Sequence, residues 1–229
     1  MPDIKHYSFD LWLTLIRSHP DFKPERAKLF TAKYNPLGKS YEEVLAVFRR
    51  IDDLCNAMNE KTGRNISSEE MYLMVIADLA ESNEVFKSID LNGLYSEVEE
   101  LVLTHCPVFY DESIYDFLAS LKSKTNATCS ILSNTAFIKG STLRKVLKKL
   151  EIYSFFDFQI YSDEQELSKP NSALFSIVYE EANKLHTTLL KKEIMHVGDN
   201  PIADFEGASQ FGFEACLIHS NGRKLIDIY

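Results

Sequence analysis

Seven polar side chains, in four short stretches of this sequence, have the chemical character needed for nucleophilic or cation-assisted catalysis. In chain order they are Asp10, Thr14, Ser133, Asn134, Lys169, Asp199 and Asp204. A carboxylate can act as a nucleophile or as an oxygen ligand of Mg²⁺. A lysine, a hydroxyl group and an amide can stabilise negative charge that develops on a reacting group. The set is suited to catalysis if the fold brings its members together.

Each stretch taken alone also has a structural explanation. An aspartate that ends a strand, such as Asp10, is commonly a turn former, and Ser133 or Asn134 can cap a helix. An isolated lysine such as Lys169 is usually a solvated surface residue. Asp204 would lie in the first turns of a helix, where the helix dipole favours acids. A catalytic role is favoured over these structural explanations because all four stretches occur, in this order, at the ends of predicted strands.

Short apolar runs separated by amphipathic helices predict an α/β fold with a Rossmann-like parallel sheet. Runs that are apolar almost throughout are typical of strands covered on both faces. They occupy residues 4–9, 127–133, 158–162, 194–199 and 214–219. Helical periodicity lies between them at residues 111–121, 141–150 and 171–185. Because ligands bind beyond the carboxyl ends of parallel strands, this topology would gather the polar side chains at one edge of the sheet.

A long block after the first strand interrupts this alternation and is helical throughout. Within it, Ser40 with Glu43 and Ser67 with Glu70 match the capping-box spacing that begins helices. We therefore predict a helical insertion in an α/β core. The predicted segments are residues 1–17 (core, first strand), 18–105 (helical cap) and 106–229 (remaining core).

The composition indicates a globular protein rather than a nucleic-acid-binding or membrane protein. The 229 residues include 25 lysines and arginines against 34 aspartates and glutamates, a formal net charge of −9. Nucleic-acid binding depends on basic surfaces, and no apolar run is long enough to span a bilayer, so we expect a small-molecule substrate, no nucleic acid and no membrane. The four cysteines are widely spaced and no signal-peptide pattern precedes Asp10. We expect a cytoplasmic location, and the oligomeric state stays open.

The ordered motifs resemble those of the haloacid dehalogenase-like (HAD-like) hydrolase superfamily. Its first motif, D-x-D-x-T/V, corresponds to Asp10-Leu11-Trp12-Leu13-Thr14. Its second motif, a Ser or Thr that ends a strand, corresponds to Ser133, and its third corresponds to Lys169-Pro170. Its fourth, G-D-x-x-x-x-D, corresponds to the stretch from Gly198-Asp199 to Asp204. The helical block matches the position of the helical cap in this superfamily.

The resemblance implies a hydrolase that works through a covalent aspartyl intermediate. Asp10 would attack the substrate, and Thr14 would hold the loop after the first strand. Ser133, Asn134 and Lys169 would bind the transferring group and stabilise its charge. Mg²⁺ would be the cofactor, held or oriented by Asp10, the backbone carbonyl of Trp12, Asp199 and Asp204.

Trp12 departs from the family pattern, because phosphatases of this family carry a second acid at that position. An indole cannot protonate a leaving oxygen or deprotonate water. A positioned general acid or base contributes about 10²–10⁴ in rate. A phosphatase with this motif is therefore expected to prefer activated leaving groups, such as acyl, aryl or anhydride phosphates, over alkyl monoesters.

Two other functions stay open on these motifs. Family dehalogenases also lack the second acid, because halide leaves without a proton, and they need a cap arginine. Candidates for that arginine are Arg17, Arg26, Arg49 and Arg50. Dehalogenases typically lack the equivalent of Asp199, however, so its presence favours a metal-bound phosphoryl site. A scaffold that binds a phosphorylated ligand without turnover would also keep the metal ligands while losing the second acid.

Overall fold

The computed structural model describes residues 3–82, 84–124 and 126–228, so the predicted segment limits at residues 1 and 229 lie outside the described residues. Its strands are β1 (His6–Phe9), β2 (Ile16–Arg17), β3 (Val108–Phe109), β4 (Thr128–Ser133), β5 (Phe158–Tyr161), β6 (Ile194–Gly198) and β7 (Glu214–Leu217). Its α-helices are α1 (Phe22–Lys33), α2 (Tyr41–Thr62), α3 (Ser68–Ala80), α4 (Leu91–Thr104), α5 (Ile114–Lys124), α6 (Gly140–Lys149), α7 (Ser162–Gln165), α8 (Ser172–Leu185) and α9 (Gly207–Phe211). Short 3₁₀ helices lie at Glu84–Ser88, Tyr153–Phe155, Lys191–Glu193 and Leu225–Ile228, and a π-helical segment, Pro201–Glu206, leads into α9.

Five strands form one parallel sheet in the order β5-β4-β1-β6-β7, which confirms the predicted α/β class and the predicted strands. Strand β1 is central, since Phe9 pairs with Ile131 of β4 on one side and with Val197 of β6 on the other. In this register the residues that follow β1, β4 and β6 meet at one edge of the sheet. Those residues are Asp10, Asn134 and Asp199.

Helices cover both faces of the sheet. In β4 the adjacent Ile131 and Leu132 are fully buried in two different hydrophobic clusters, as the alternation of side chains along a strand requires. Ile131 packs in the cluster that contains residues of α5 and α6, whereas Leu132 packs with residues of α8 such as Phe175. Burial on both faces explains why the strands are apolar almost throughout.

Helices α1 to α4 form an insert between β2 and β3, and α2 and α3 begin at the predicted capping boxes. The side chains of Ser40 and Ser67 accept hydrogen bonds from the N–H groups of Glu43 and Glu70. In return, the glutamate carboxylates accept from the serine N–H groups at 2.7 and 2.8 Å.

No helix within the described ranges is both long and apolar enough to cross a membrane.

A short antiparallel ladder, which the sequence pattern does not predict, joins the two ends of the helical insert. Strands β2 and β3 pair through Ile16 with Phe109 and Arg17 with Val108. Each strand has only two residues, so its alternation is too short to be recognised in a sequence. The ladder therefore holds the segments that enter and leave the insert side by side.

An aromatic cluster joins the insert to the sheet. Phe30, Phe48 and Tyr72 of the insert pack with Phe137, which follows β4. The ring centroids of Phe48 and Tyr72 lie 5.5 and 4.9 Å from that of Phe137. Such pairs contribute about 0.5–1.5 kcal/mol each beyond their burial, so the cluster holds α2 and α3 over the carboxyl edge of the sheet.

Replacing Ser67 with alanine tests the capping box that begins α3. The substitution removes the acceptor of the Glu70 N–H group, which lies 3.2 Å from the Ser67 Oγ atom. We expect the free energy of unfolding, measured by urea denaturation, to fall by about 1 kcal/mol. The matched control is Ser96→Ala inside α4, where the serine is exposed and alanine is the better helix former. An equal loss in the control would show that the capping box contributes nothing specific.

Candidate active site

A cavity of about 290 Å³ lies between the carboxyl edge of the sheet and helix α2. The predicted site residues that line it are Asp10, Trp12, Asn134, Lys169, Asp199 and Asp204. Thr14 and Ser133 are only 0 % and 1 % exposed and lie directly behind these residues in the chain and in space. The structure therefore gathers all of the predicted residues, with two of them supporting the lining rather than forming it.

Lys169 is 1 % exposed, and its Nζ atom donates three hydrogen bonds. The acceptors are Oδ1 of Asp10 at 2.8 Å, Oδ1 of Asp204 at 2.6 Å and the carbonyl oxygen of Leu132 at 2.8 Å. A buried ammonium needs this complete pairing, because an unpaired buried charge is strongly destabilising. Although burial opposes the charged form, the two carboxylates raise the pKa of Lys169. The group is a fixed positive charge directly beside Asp10.

Asn134 fixes the backbone that carries Lys169. Its Oδ1 atom accepts from the Lys169 N–H group at 2.7 Å, and its Nδ2 atom donates to the Lys169 carbonyl oxygen at 3.1 Å. The side-chain amide is thereby held at both ends, which fixes the orientation of Asn134 beside the cavity. The hydroxyl of Ser133 donates to the Asn134 carbonyl oxygen at 3.2 Å.

Asp204 is buried, and both of its carboxylate oxygens accept hydrogen bonds. Oδ1 accepts from Lys169 and lies 3.1 Å from Nε2 of His196, while Oδ2 accepts from the Asn200 N–H group at 3.0 Å. Although burial opposes ionisation, Lys169 and His196 lower the pKa of Asp204. A Cβ atom on Gly198 would overlap this carboxylate, which explains the glycine at the end of β6.

His196 orients Asp204 from the interior of β6. Burial lowers the pKa of His196, so its imidazole is neutral near pH 7. The neutral ring satisfies both neighbours if Nε2–H donates to Asp204 and Nδ1 accepts from the Ser8 hydroxyl at 2.9 Å. The sequence carried a signal for this residue, since a histidine is unexpected inside an apolar strand.

The loop after β1 presents Asp10 to the cavity. The Asp10 N–H group donates to the Val197 carbonyl at 2.9 Å, and the Thr14 hydroxyl donates to Oδ2 of Asp10, also at 2.9 Å. Leu13 has φ of 58°, a left-handed conformation that side chains other than glycine rarely adopt. The loop therefore turns back sharply beside Trp12. Within the described ranges no hydrogen bond is made to the Trp12 carbonyl oxygen, which leaves that oxygen available to a ligand.

Among the three aspartates of the cavity, Asp199 is the least neutralised. The Thr14 hydroxyl approaches its Oδ1 atom at a long 3.5 Å, and it forms no ion pair among the described residues. Burial, followed by the charges of Asp10 and Asp204, raises the pKa of Asp199 to about 7. Burial also raises the pKa of Asp10, against the opposing effect of Lys169. Three ionised carboxylates facing one ammonium would carry a formal charge of −2.

Helix α2 supplies polar residues to the cavity that the sequence motifs do not single out. Asn56, Asn59 and Glu60 line it, and Nδ2 of Asn200 donates to Oε2 of Glu60 at 3.3 Å. Together with Asp52 they lie at positions i, i+4, i+7 and i+8, which form one face of a helix. That polar stripe was visible in the sequence, but only the fold shows that it faces the predicted catalytic residues.

Comparison with known proteins gives a partial sequence match and an extensive structural one. A curated relative, the Rhythmically expressed gene 2 protein of Drosophila melanogaster, is 29% identical over 77 residues. That match covers 34% of this chain and 29% of the relative, so the aligned part spans less than a third of the relative's length. It is an indication of kinship and not of a shared activity.

Solved hydrolase structures superpose on nearly the whole chain. The HAD-hydrolase YfnB of Bacillus subtilis, bound to magnesium, has a TM-score of 0.72 at 17% identity and covers 99% of this chain and 97% of its own. A HAD phosphatase of Thermococcus onnurineus has a TM-score of 0.64 at 21% identity, with 96% and 89% covered. A 2-haloacid dehalogenase of Pseudomonas syringae has a TM-score of 0.61 at 19% identity, with 96% and 88% covered. At these identities the likeness establishes the fold alone.

The family model described as haloacid dehalogenase-like hydrolase matches residues 50–218. The matched span includes Ser133, Lys169 and the Asp199–Asp204 turn, and leaves out Asp10 and Trp12. It covers well over half of the sequence, and it agrees with the fold and with the order of the motifs. The chain therefore belongs to the haloacid dehalogenase-like hydrolase family.

Proposed function

We propose that this protein hydrolyses small phosphorylated molecules through an aspartyl phosphate on Asp10, with Mg²⁺ as cofactor. The observation that carries the proposal is the position of Asp199, which has no ion-pair partner among the described residues. One oxygen atom each of Asp10, Asp199 and Asp204 lies within 4.8 Å of the others. Ionised carboxylates at this separation repel one another. A cation bound between them would offset that repulsion, which supports a metal site here.

The residues of the cavity fit Mg²⁺. This ion prefers oxygen ligands, uses one or two protein carboxylates and keeps several waters. Asp10 and Asp199 would provide the carboxylates, and the Trp12 carbonyl would provide a third protein oxygen. Asp204, whose oxygens already accept from its neighbours, would orient the ligands and their waters. When bound, Mg²⁺ supplies positive charge that offsets the repulsion between a carboxylate and a phosphate.

The protein's own residues account for the covalent chemistry. A carboxylate oxygen of Asp10 bonds to phosphorus while the bond to the leaving group breaks, and the leaving group takes the electron pair. Water then attacks the phosphorus atom, which releases inorganic phosphate and restores the carboxylate. Lys169 and Thr14 each hold one oxygen of Asp10, at 2.8 and 2.9 Å. The Asn134 N–H group is proposed to donate to the phosphoryl oxygens, while the Ser133 hydroxyl, whose single donor goes to the Asn134 carbonyl oxygen, is proposed to support that segment.

Trp12 limits the substrates for which this chemistry is fast. Its side chain lines the cavity where family phosphatases carry the second acid. Because an indole does not titrate near neutral pH, it cannot supply the proton that an alkoxide needs on leaving. We propose that the substrates are acyl, aryl or anhydride phosphates, whose leaving groups are stable without that proton.

Trp12 also supports a second candidate, the metal-independent hydrolysis of a halo acid through an ester of Asp10. Halide leaves as a stable anion, so the absent acid would be no defect. Asp199 counts against this candidate, since an unpaired carboxylate would repel an anionic halo acid. Binding of a phosphorylated ligand without turnover is the remaining outcome, and it would leave Asp10 unmodified.

The helical insert is proposed to serve as a cap. Residues 18–105 would exclude water and select the substrate, while residues 1–17 and 106–229 would carry the catalytic groups. Asn56 and Glu60 of α2 support this division, because they line the cavity opposite the sheet edge. The four cysteines are all free, which supports the proposed cytoplasmic location.

A substrate panel with and without Mg²⁺ tests the proposed function. The panel comprises acetyl phosphate, phenyl phosphate, an alkyl phosphate and a chloro acid. We expect Mg²⁺-dependent phosphate release, with kcat/KM for the activated substrates about 10²-fold or more above the alkyl ester, the size of a missing general acid. Beryllium fluoride should form a Mg²⁺-dependent adduct on Asp10.

The control for the panel is Asp10→Asn, which should abolish both turnover and the adduct. Metal-independent halide release would establish the dehalogenase activity instead. Tight binding of phosphorylated ligands with neither turnover nor adduct would identify a binding protein.

Trp12→Asp restores an ionisable group at the position of the family's second acid. We expect kcat for the alkyl phosphate to rise by about tenfold or more, because the new carboxylic acid can protonate the leaving oxygen. Trp12→Phe is the matched control, since it removes the indole without adding an acid. If Trp12→Asp folds, binds Mg²⁺ and gains nothing over Trp12→Phe, the missing acid is not what limits alkyl esters.

Asp199→Asn tests the repulsion among the three carboxylates. The folded-state pKa of Asp199, about 7, lies above that of an unfolded aspartate, so its ionised form destabilises the fold as pH rises from about 4 through 7. In EDTA at pH 8 we expect the variant to be more stable by about 1–2 kcal/mol, after allowance for solvent screening. The gain should shrink at pH 5, and stabilisation by Mg²⁺ should disappear.

The control for this measurement is Asp53→Asn, which changes an exposed carboxylate of α2. Urea titrations at both pH values, with EDTA or with Mg²⁺, supply the free energies. An Asp199→Asn variant that is no more stable than the parent at pH 8 in EDTA would contradict the electrostatic account of the cavity.

A further inference from the structure

A second cavity of about 240 Å³ adjoins the catalytic one. The two cavities share Trp12, Leu13, Asn56 and Asn134 in their walls. The second cavity extends away from Asp10 toward α1 and the loop after β4, and its further walls are largely aromatic or aliphatic. They are formed by Phe22, Ala136, Phe137 and Ile138, with Ser18, Arg26 and Asp52 as the polar members.

Arg26 is the exceptional residue of this second cavity. It is only 6 % exposed, and its Nε atom is buried without a hydrogen-bond partner. Its guanidinium carbon lies 4.0 Å from the ring centroid of Phe48 and 4.6 Å from that of Phe137. Aromatic faces stabilise a cation in part, but they leave its N–H donors unsatisfied. The Nε atom has almost no accessible surface, and the Tyr72 hydroxyl, which is also buried without a partner, interacts with the same guanidinium. The terminal N–H groups of Arg26 form no hydrogen bond among the described residues, and Arg26 lines the cavity, so a ligand there can supply their acceptor.

The other arginines that were candidates for substrate binding do not face the site. Arg17, Arg49 and Arg50 are exposed. Arg17 lies over the ring of Tyr110, and Arg50 pairs with Asp78 on the insert surface. Arg26 alone among these four lines a cavity that is continuous with the catalytic one.

Asp52 places an acceptor in the same cavity as the Arg26 donor. The two side chains interact electrostatically, yet they form no ion pair within 4.0 Å. Asn56, one turn along α2, donates to Oδ1 of Asp52 at 3.4 Å, which holds the carboxylate on the cavity side of the helix. The cavity therefore offers a cationic donor and a carboxylate acceptor that do not pair directly with each other.

We infer that this second cavity binds the leaving group of the substrate, and that the leaving group is a phenol bearing a polar substituent that both accepts and donates a hydrogen bond. The inference rests on the proposed function and narrows it to aryl phosphates. The aromatic ring would pack against Trp12 and Phe137. Its substituent, such as a carboxamide, would accept from the terminal N–H groups of Arg26 and donate to Asp52.

This assignment accounts for Trp12 as well as for Arg26. When the Asp10 oxygen bonds to phosphorus, the bond from phosphorus to the aryl oxygen breaks and the phenolate leaves with the electron pair. A phenolate is stable enough to leave without a proton donor, since phenols have a pKa near 10, and it takes its proton from water afterwards. The indole thus stands where an aromatic leaving group needs a packing surface rather than an acid.

The kinetic test compares 4-carbamoylphenyl phosphate, 4-(methoxycarbonyl)phenyl phosphate and acetyl phosphate, each with Mg²⁺. The ester analogue keeps the ring and the acceptor but lacks the donor for Asp52, and acetyl phosphate lacks the ring. In Arg26→Met we expect kcat/KM for the carbamoyl substrate to fall about 10- to 100-fold, mainly through KM, as expected for a lost hydrogen bond to a charged group. Acetyl phosphate turnover should stay within about twofold.

Two variants complete the kinetic comparison. Arg49→Met changes an exposed arginine of α2 and should leave all three substrates unaffected. Asp52→Asn should reduce the preference for the carbamoyl substrate over the ester analogue. An Arg26→Met variant that loses activity equally on acetyl phosphate and on the carbamoyl substrate would overturn the assignment of the cavity to the leaving group.

A binding measurement separates this inference from the proposed function. Trp12 is the single tryptophan of the chain and lies between the cavities, so its fluorescence reports directly on them. Titration with 4-hydroxybenzamide, the phenol of the carbamoyl substrate, should give saturable quenching that weakens in Arg26→Met and not in Arg49→Met. Quenching without any phosphatase activity would refute the proposed function, but the second cavity would still be shown to bind the phenol. Turnover of acetyl phosphate without saturable quenching would refute the assignment of the second cavity to the leaving group and would leave the proposed function standing.

Ala136→Leu tests the second cavity without removing the buried arginine, so it keeps the inference testable if Arg26→Met fails to fold. Ala136 lines the second cavity from the side of the sheet and is absent from the lining of the catalytic cavity. The larger side chain should fill the space while leaving Arg26 and its aromatic neighbours in place. We expect the same selective loss of the carbamoyl substrate and of quenching, with thermal unfolding as the check on folding. Unchanged binding of 4-hydroxybenzamide in this variant would refute the inference.

Discussion

The buried ammonium group of Lys169 is the interaction on which the rest of the site depends. It joins the residue after β1, the penultimate residue of β4 and the segment after β6, through Asp10, Leu132 and Asp204. A charge with 1 % exposure is tolerated only when all of its donors are paired in this way. One ammonium cannot neutralise three carboxylates, however, and this imbalance is the physical reason for proposing a second cation beside Asp199.

Several features that look unrelated in the sequence serve that interaction. Asn134 clamps the backbone of Lys169, and Gly198 lacks a side chain where the Asp204 carboxylate lies. His196 lies inside an apolar strand, where its Nε2 atom contacts the Asp204 carboxylate. The helical insert contributes differently, since its polar and aromatic residues form walls rather than charge pairs. In the proposed scheme the sheet edge performs the phosphoryl chemistry and the insert selects the leaving group.

The sheet and the long helices were predictable from local patterns. Apolar runs marked each strand of the parallel sheet, and the serines at positions 40 and 67 marked two helix starts through bonds made within one turn. The two-residue strands β2 and β3 carry no such pattern. The sequence predicts Asp204 in the first turns of a helix; Asn200 caps that helix, but the backbone of Pro201–Glu206 follows a π-helical path. Within this segment the Asp204 carboxylate folds back and accepts from the Asn200 N–H group, while Lys169 and His196, which lie outside the segment, contact the same carboxylate.

The sequence by itself predicted the candidate catalytic set, because strand ends of a parallel sheet must meet and the residue types near those ends were recognisable. It also determined that Trp12 removes a proton donor, since that conclusion needs only the chemistry of an indole. Only the tertiary structure decided which residues of the helical insert face the cavity. The arginine in the insert that lines it could not be chosen from four candidates by spacing alone. Burial of Arg26 against Phe48 and Phe137 results from packing between segments distant in the chain, and such packing leaves no local periodicity to read.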